Sequence, residues 1–191
     1  MNWPLRWLPY DLYERHAVVS RLLRRALGDD RAVTVLDVGG RVGLLSRFLP
    51  AYRVTSINTD GTGHLLGSGL ALPFPDDSFA AVVSVDTLEH LPPARRVPFL
   101  REGARVARRC LIVAAPFGSE QHRAYERHLD DLYRSAYGHP HPYLGEHVRY
   151  GLPTPDEIAD FIRALPDARV EQFFAGDYRW QGRRFARSIA P

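Results

Sequence analysis

The chain is expected to fold as an α/β protein, Rossmann-like and doubly wound, with a mostly parallel sheet covered by helices on both faces. Three observations predict this. The segment 33–43, VTVLDVGGRVG, is an apolar, β-branched run that reaches Asp37 and then breaks into glycines. A buried parallel strand passes through a tight turn in this way, because glycine supplies positive φ and lets backbone approach a ligand closely. Apolar strand-like runs alternate along the chain with segments of helical period. Several of those runs are apolar throughout, as strands covered on both faces require.

The elements follow in order. Asp11–Leu27 carries apolar residues at helical spacing and is closed by Gly28. Ala32–Val38 reads as the first strand. Val42–Leu49 reads as a short helix stopped by Pro50, its free N–H groups facing whatever lies above the glycine turn. Tyr52–Ile57 is the second strand, and His64–Leu66 allows a very short one. Leu72–Ser78 is a loop and Ala80–Val85 a clear strand. Pro92–Ala107 is a helix with proline at its start, and Cys110–Ala115 is the next buried strand. Ser119–Tyr137 reads as a polar helix, and Gly138–Pro153, dense in Gly, Pro, His and Tyr, as a loop. Thr154 opens a capped helix to Ala164, with Glu157 answering from three residues on. Ala168–Phe174 is a final strand candidate.

Composition limits the chemistry. The 191 residues suffice for one domain with a sizeable core. All 25 basic residues are arginine, so Schiff-base and lysine general-base chemistry are excluded. The net charge of +3 is mild and the arginines are spread along the chain, which argues against a nucleic-acid footprint. Arg179, Arg183, Arg184 and Arg187 are the one cluster, read first as a solvated face. The single cysteine, Cys110, excludes an internal disulfide and reads as a structural thiol in an apolar run. No secretory leader or membrane-spanning run is read, so a cytoplasmic location is expected and no membrane partner.

A dinucleotide fingerprint would need glycine at 41 and 44, where this chain has Arg41 and Leu44. DVGGRVG instead resembles the first motif of class I S-adenosylmethionine-dependent methyltransferases. The stretch 67–92, GSGLALPFPDDSFAAVVSVDTLEHLP, is similar to the type 11 branch of that family, and the similarity runs from about Ala32 to Pro116. The resemblance implies S-adenosylmethionine as cofactor and methyl transfer, an in-line displacement in which the protein chiefly aligns donor and acceptor. Gly39, Gly40 and Gly43 would approach the amino acid and ribose, with Asp37 orienting the turn or reaching the ammonium. Asn58 stands where the family holds the ribose hydroxyls, and Asp60 is placed to substitute. Ser68, Gly69 and Leu70, with Leu72, would face the adenine, and Asp86 the methionine end or an acceptor.

The chain also departs from the family pattern. Arg41 replaces a glycine, and Asn58, Ser68 and Ala80 replace carboxylates. Two readings follow: an enzyme in which Asp60 and backbone compensate, or a degenerate, non-catalytic binding or scaffold protein. No internal repeat, linker or low-complexity segment is read, so a single methyltransferase-like domain over 1–191 is expected. It divides into an N-terminal helical flap (1–30), a cofactor-binding core (31–116), a variable acceptor-side insertion (117–155) and a C-terminal helix and strand (156–191). The family's closing antiparallel hairpin is left open, since Arg179–Ile189 reads as either a short strand or a helix.

On the acceptor side, His90 is the first candidate general base, and His147 or Glu146 the second. Glu89 and His90 would equally serve to cap or orient the following loop. His139, His141, Glu146 and His147 offer metal-ligand chemistry, but prolines separate them and no metal is expected; a substrate lid is the preferred reading of that segment. Trp3, Trp7, Tyr10 and Tyr13 would form a flap over the pocket or pack the first helix onto the sheet. A small-molecule acceptor is expected, with no nucleic-acid partner; the oligomeric state is open.

Overall fold

A computed structural model describes residues 5–28 and 32–189. Trp3 lies outside them. Five strands form one all-parallel sheet in the order β3-β2-β1-β4-β5. They are β1 (Thr34–Val38), β2 (Arg53–Asn58), β3 (Leu65–Leu66), β4 (Phe79–Val85) and β5 (Ala107–Ala114). The order reverses between β1 and β4, which makes the carboxyl ends of those strands the switch point where open α/β sheets bind ligands. The α-helices are α1 (Tyr10–Leu27), α2 (Pro93–Val106), α3 (Glu120–Tyr137), α4 (Pro142–Tyr150), α5 (Pro155–Ala164) and α6 (Tyr178–Ile189). The chain resolves into two compact units, residues 1–87 with 94–114, and residues 88–93 with 115–191.

In the first unit the period-2 alternation of the strands decides what each face buries. Val35, Ala81 and Val83 pack with Val19, Leu23 and Leu27 of α1. The alternate positions face α2: a methyl added at Gly103 would lie 3.1 Å from Leu111 and 3.7 Å from Val82. Helices thus cover both faces, as expected. The LPFPDDS loop is stapled to α2 by two side chains. Glu102 accepts from the Leu72 amide at 2.7 Å, and Arg105 donates to the carbonyls of Leu72 and Phe74 and to Asp76. The Arg105 guanidinium holds the Glu102 carboxyl below the usual carboxylate range.

In the second unit α3 packs against α4 and α6. Gly182 lets α6 approach α3, since a Cβ there would fall 2.2 Å from the Tyr125 ring. His122 stacks on Tyr178 with ring centroids 4.1 Å apart. The Thr154–Glu157 capping box forms at the start of α5.

Three expectations are corrected, and an open one is resolved. Val42–Leu49 forms only a single 3-10 turn at Leu45–Arg47. Only six residues separate Gly43 from Pro50, which cannot continue a helix, so one has little room to propagate. Gly138–Pro153 is not a loop but contains α4. Pro142 sits in its first turn where no N–H is needed, His141 caps its start, and Gly151 with φ +75° ends it. Prolines and glycines here punctuate a helix rather than prevent one. Ala168–Phe174 forms no strand; Phe174 instead sets its ring edge-on to Phe117 at 5.2 Å. Arg179–Ile189 belongs to α6, so among the described residues the sheet ends at β5 and has no antiparallel hairpin. No described helix is long and apolar enough to cross a membrane.

Leu23 is wholly buried between α1 and the sheet. Leu23→Ala is expected to cost about 2–5 kcal/mol of stability, read by urea unfolding, through lost transfer energy and the cavity left behind.

Candidate functional site

The candidate cofactor side is built at the head of β1. Asp37 is 2% exposed, and its Oδ2 has no hydrogen-bond partner among the described residues. Burial pushes its carboxyl up to about 7. The carboxyl lies directly beneath the turn: a Cβ at Gly40 would sit 1.9 Å from Asp37 Oδ2. Gly39, with φ +84°, is confined from the other side, where a Cβ would fall 2.2 Å from Thr87 Oγ1. Gly43 also adopts positive φ but faces open space. Gly39 and Gly40 are therefore required by close approach, and Gly43 by backbone conformation alone.

The turn is stitched to the end of β2. The Gly39 amide donates to the Ile57 carbonyl, and the Val42 amide to that of Thr62. Asn58 Nδ2 donates to the Gly39 carbonyl at 3.0 Å and to Thr62 Oγ1, while its Oδ1 accepts from the Thr59 amide. A carboxylate at 58 could not make the bond to Gly39, because that bond needs an N–H donor. Asp60 is turned to its own loop, accepting from the amide and hydroxyl of Thr62, and those bonds hold its exposed carboxyl below the usual range. Arg41 is exposed and does not fill the space under the turn. Ser68 Oγ accepts from the Leu70 amide, Leu72 is buried, and Gly69 lies against Phe99 and Val38, where a side chain would collide with the ring.

Asp86, at the end of β4, holds a left-handed backbone with φ +50°. Such a conformation is costly for a non-glycine residue and persists where surroundings enforce it. Its amide donates to the Ala114 carbonyl, and Arg15 of α1 reaches its Oδ2 at 2.9 Å while also pairing with Asp11. Arg15 was not legible as a site residue, since nothing local distinguishes it from the other arginines of α1. Tyr13 packs its ring on Phe48 at 5.7 Å, and Trp7 is exposed. A cleft of about 630 Å³ borders these residues of α1 and the 3-10 turn, lined by Tyr10, Tyr13, Arg21 and Arg47 among others, and contains none of the expected cofactor residues.

The second unit gathers the acceptor-side candidates. His90 Nδ1 lies 2.7 Å from Glu146 Oε2. The His147 ring stands 4.8 Å from that of His90, and its Nδ1 contacts both oxygens of Glu126 at 3.1–3.2 Å. His122 Nε2 approaches the same Glu126 at 3.5 Å, and burial lowers the pKa of His122 below the ordinary histidine value. His141 is consumed as the cap of α4, and His139 is exposed with Nδ1 near the Pro140 carbonyl. The four residues 139, 141, 146 and 147 therefore do not converge. Glu126 is absent from the sequence reading; its spacing from His122 places both on one face of α3, but its meeting with His147 depends on how α3 packs on α4.

The comparisons bear on the cofactor side. Residues 36–110 match the model of a family described as "Methyltransferase domain". No curated protein matches the chain. Among solved structures, a putative methyltransferase from Bacillus halodurans C-125 is 19% identical, with a TM-score of 0.53 over 86% of this chain and 71% of that one. A putative methyltransferase from an antibiotic biosynthesis pathway of Anabaena variabilis is 17% identical, with a TM-score of 0.53 over 81% of this chain and 62% of its own. Geranyl diphosphate C-methyltransferase from Streptomyces coelicolor, solved with Mg2+, geranyl diphosphate and S-adenosyl-L-homocysteine, is 15% identical, with a TM-score of 0.52 over 91% and 70%. The chain also spans about half, 48%, of a matched protein from Pyrococcus horikoshii. At these identities the structures establish the shared fold. Residues 36–110 thus match the methyltransferase-domain model, and they span the parallel sheet from β1 into β5.

Proposed function

We propose that this protein transfers a methyl group from S-adenosylmethionine to a small-molecule acceptor in the cytoplasm. The observation that carries the proposal is the buried Asp37 carboxyl under the Gly39–Gly40 turn, at the switch point of the sheet and inside the segment matching the methyltransferase domain. The cofactor brings an ammonium and a sulfonium. A carboxyl oxygen without a protein partner is complementary to such a cation, and the glycines keep side chains out of its way. The Streptomyces neighbour holds the demethylated cofactor in the same fold class. Gly39, Gly40 and Gly43 would then cradle the amino acid and ribose, Asn58 and Asp60 would border the sugar, Ser68, Gly69 and Leu70 the adenine, and Asp86 the methionine end.

Acceptor chemistry falls on His90, backed by Glu146, and His147, backed by Glu126. An imidazole oriented by a carboxylate is suited to take the proton that a hydroxyl or amine loses on methylation. The 1–191 chain would act as one methyltransferase, the first unit serving the cofactor and the second the acceptor.

A second reading, cofactor binding without turnover, draws on Asn58 and Asp60, whose polar atoms are already committed to the loop. Calorimetry with S-adenosylmethionine separates the readings from a fold that has lost its site. Binding is expected, with Gly40→Ala weakening it at least tenfold because the new methyl meets the Asp37 carboxyl. Absence of heat at millimolar cofactor overturns both readings, and binding without turnover on an acceptor panel selects the second.

Asp37 predicts two pH effects. Its folded pKa is raised above the unfolded value, so the folded state holds the proton more tightly, and stability falls as pH rises from about 4 to 7. That loss is on the order of 4 kcal/mol. Asp37→Asn should flatten this part of the stability profile, as measured by urea unfolding at several pH values. An arriving cation would also draw the proton off. Cofactor binding near pH 6.5 should therefore release protons, seen as a heat that varies with buffer ionisation enthalpy in the native chain and not in Asp37→Asn.

A further inference from the structure

Arg179, Arg183, Arg184 and Arg187 all fall on α6, a helix without an acidic residue. Two of them have a setting that a solvated helix face lacks. Arg179 and Arg183 stand one turn apart on α6, and Gln121 and Tyr125 stand one turn apart on α3, which packs against it. With Tyr178 these side chains line a cleft of about 320 Å³ within the second unit. We infer that this cleft binds a small phosphate monoester, its anionic head shared by the Arg179 and Arg183 guanidinium groups and its carbon body laid against Tyr125 and Tyr178.

The charge balance is the first support. Like charges at i and i+4 of a helix repel each other, and Arg179 lies in the first turn of α6, where the helix dipole opposes a cation. Among the described residues neither guanidinium forms an ion pair. Asp177, the acid just before α6, turns its Oδ1 to the Arg179 amide instead. The donor balance is the second support. Arg179 Nε donates to the Tyr178 hydroxyl at 3.2 Å, which leaves that hydroxyl its own proton to offer and the terminal N–H groups of Arg179 for a ligand. Gln121 adds an amide, and no carboxylate lines the cleft. Such a wall complements a phosphoryl group, whose oxygens only accept, and the planar fork of a guanidinium engages those oxygens in pairs.

The third support is that the cleft is fixed by packing. Gly182, between the two arginines, brings α6 onto the Tyr125 ring, and the Tyr125 hydroxyl donates to the Arg179 carbonyl at 3.4 Å. The Tyr178 ring stands edge-on to Tyr125 at 5.7 Å and is backed by its stack on His122. Two held rings thus set an apolar wall beside the cations. The volume lies near the lower end of the roughly 300–1,000 Å³ typical of small-molecule sites, so it admits a head group with one small ring or short chain.

The test uses the full chain without S-adenosylmethionine or acceptor, so its failure is distinct from failure of the methyl-transfer reading. Phenyl phosphate, titrated by calorimetry, is expected to bind saturably at one equivalent per chain. Inorganic phosphate should bind more weakly, because it leaves the tyrosine wall uncovered, and phenol should not bind. Arg179→Gln and Arg183→Gln should each weaken phenyl phosphate binding about tenfold or more. Both side chains are exposed, so the circular dichroism spectrum should not change. Arg187→Gln removes the same charge from α6 one turn beyond the cleft and should bind as the native chain does. In the native chain, phenyl phosphate should move the ring resonances of Tyr125 and Tyr178. No saturable uptake, equal uptake of phenol, or unmoved ring resonances would each overturn the site. Equal weakening by Arg187→Gln would also overturn it, showing a diffuse positive field that draws any polyanion, nucleic acid included.

Discussion

At the end of the central strand β1 a carboxyl group is buried under a turn with no room for side chains, and the geometry of the cofactor-side half follows from that contact. Asp37 Oδ2 lies where a Cβ of residue 40 would stand, so position 40 must be glycine. Gly39 is pressed by Thr87 from the neighbouring strand connection, which limits the turn to one path. The buried carboxyl has no protein donor for Oδ2 and its pKa is raised to about 7. A fold keeps such a group when something outside the protein completes it, since an unanswered buried charge is destabilising.

The turn keeps its shape by borrowing hydrogen bonds from β2 and its loop instead of from a following helix. Gly39, Val42, Asn58 and Thr62 form that stitching. The stitching needs an amide at 58: Asn58 donates to the Gly39 carbonyl, which a carboxylate would repel. Asp60 is similarly spent on Thr62. Asp86, at the end of β4, is held in turn by Arg15. The α1 helix therefore does more than cover the sheet, because it brings a cation to the end of β4.

In the second unit the histidines divide by local chemistry. His141 is used up as a helix cap and His122 is held in a stack on Tyr178. His90 and His147 each have a carboxylate behind one ring nitrogen, which orients the other. That shared pattern, more than the presence of histidine as such, marks the pair out.

Much of the sheet was legible because hydrophobic runs and glycine breaks are local properties of the chain: β1, β2, β4 and β5, helices α1, α2, α3 and the capped α5 stand within a few residues of where periodicity places them. The Asp37 turn was legible for the same reason, an acid followed by glycines at the end of an apolar run. By itself the sequence determined the alternation of strand and helix, the two-sided burial of the sheet and the position of the cofactor-type turn. The tertiary structure alone decided that the helix after the turn is lost, that residues 142–150 coil into α4, and that Ala168–Phe174 finds no strand partner. It also decided the meetings of Arg15 with Asp86, Glu126 with His147, and Glu89 with His147. The physical reason is that period and capping act over a few residues, whereas these contacts join positions 21 to 71 residues apart, and only the packing of whole elements sets which side chains then face each other.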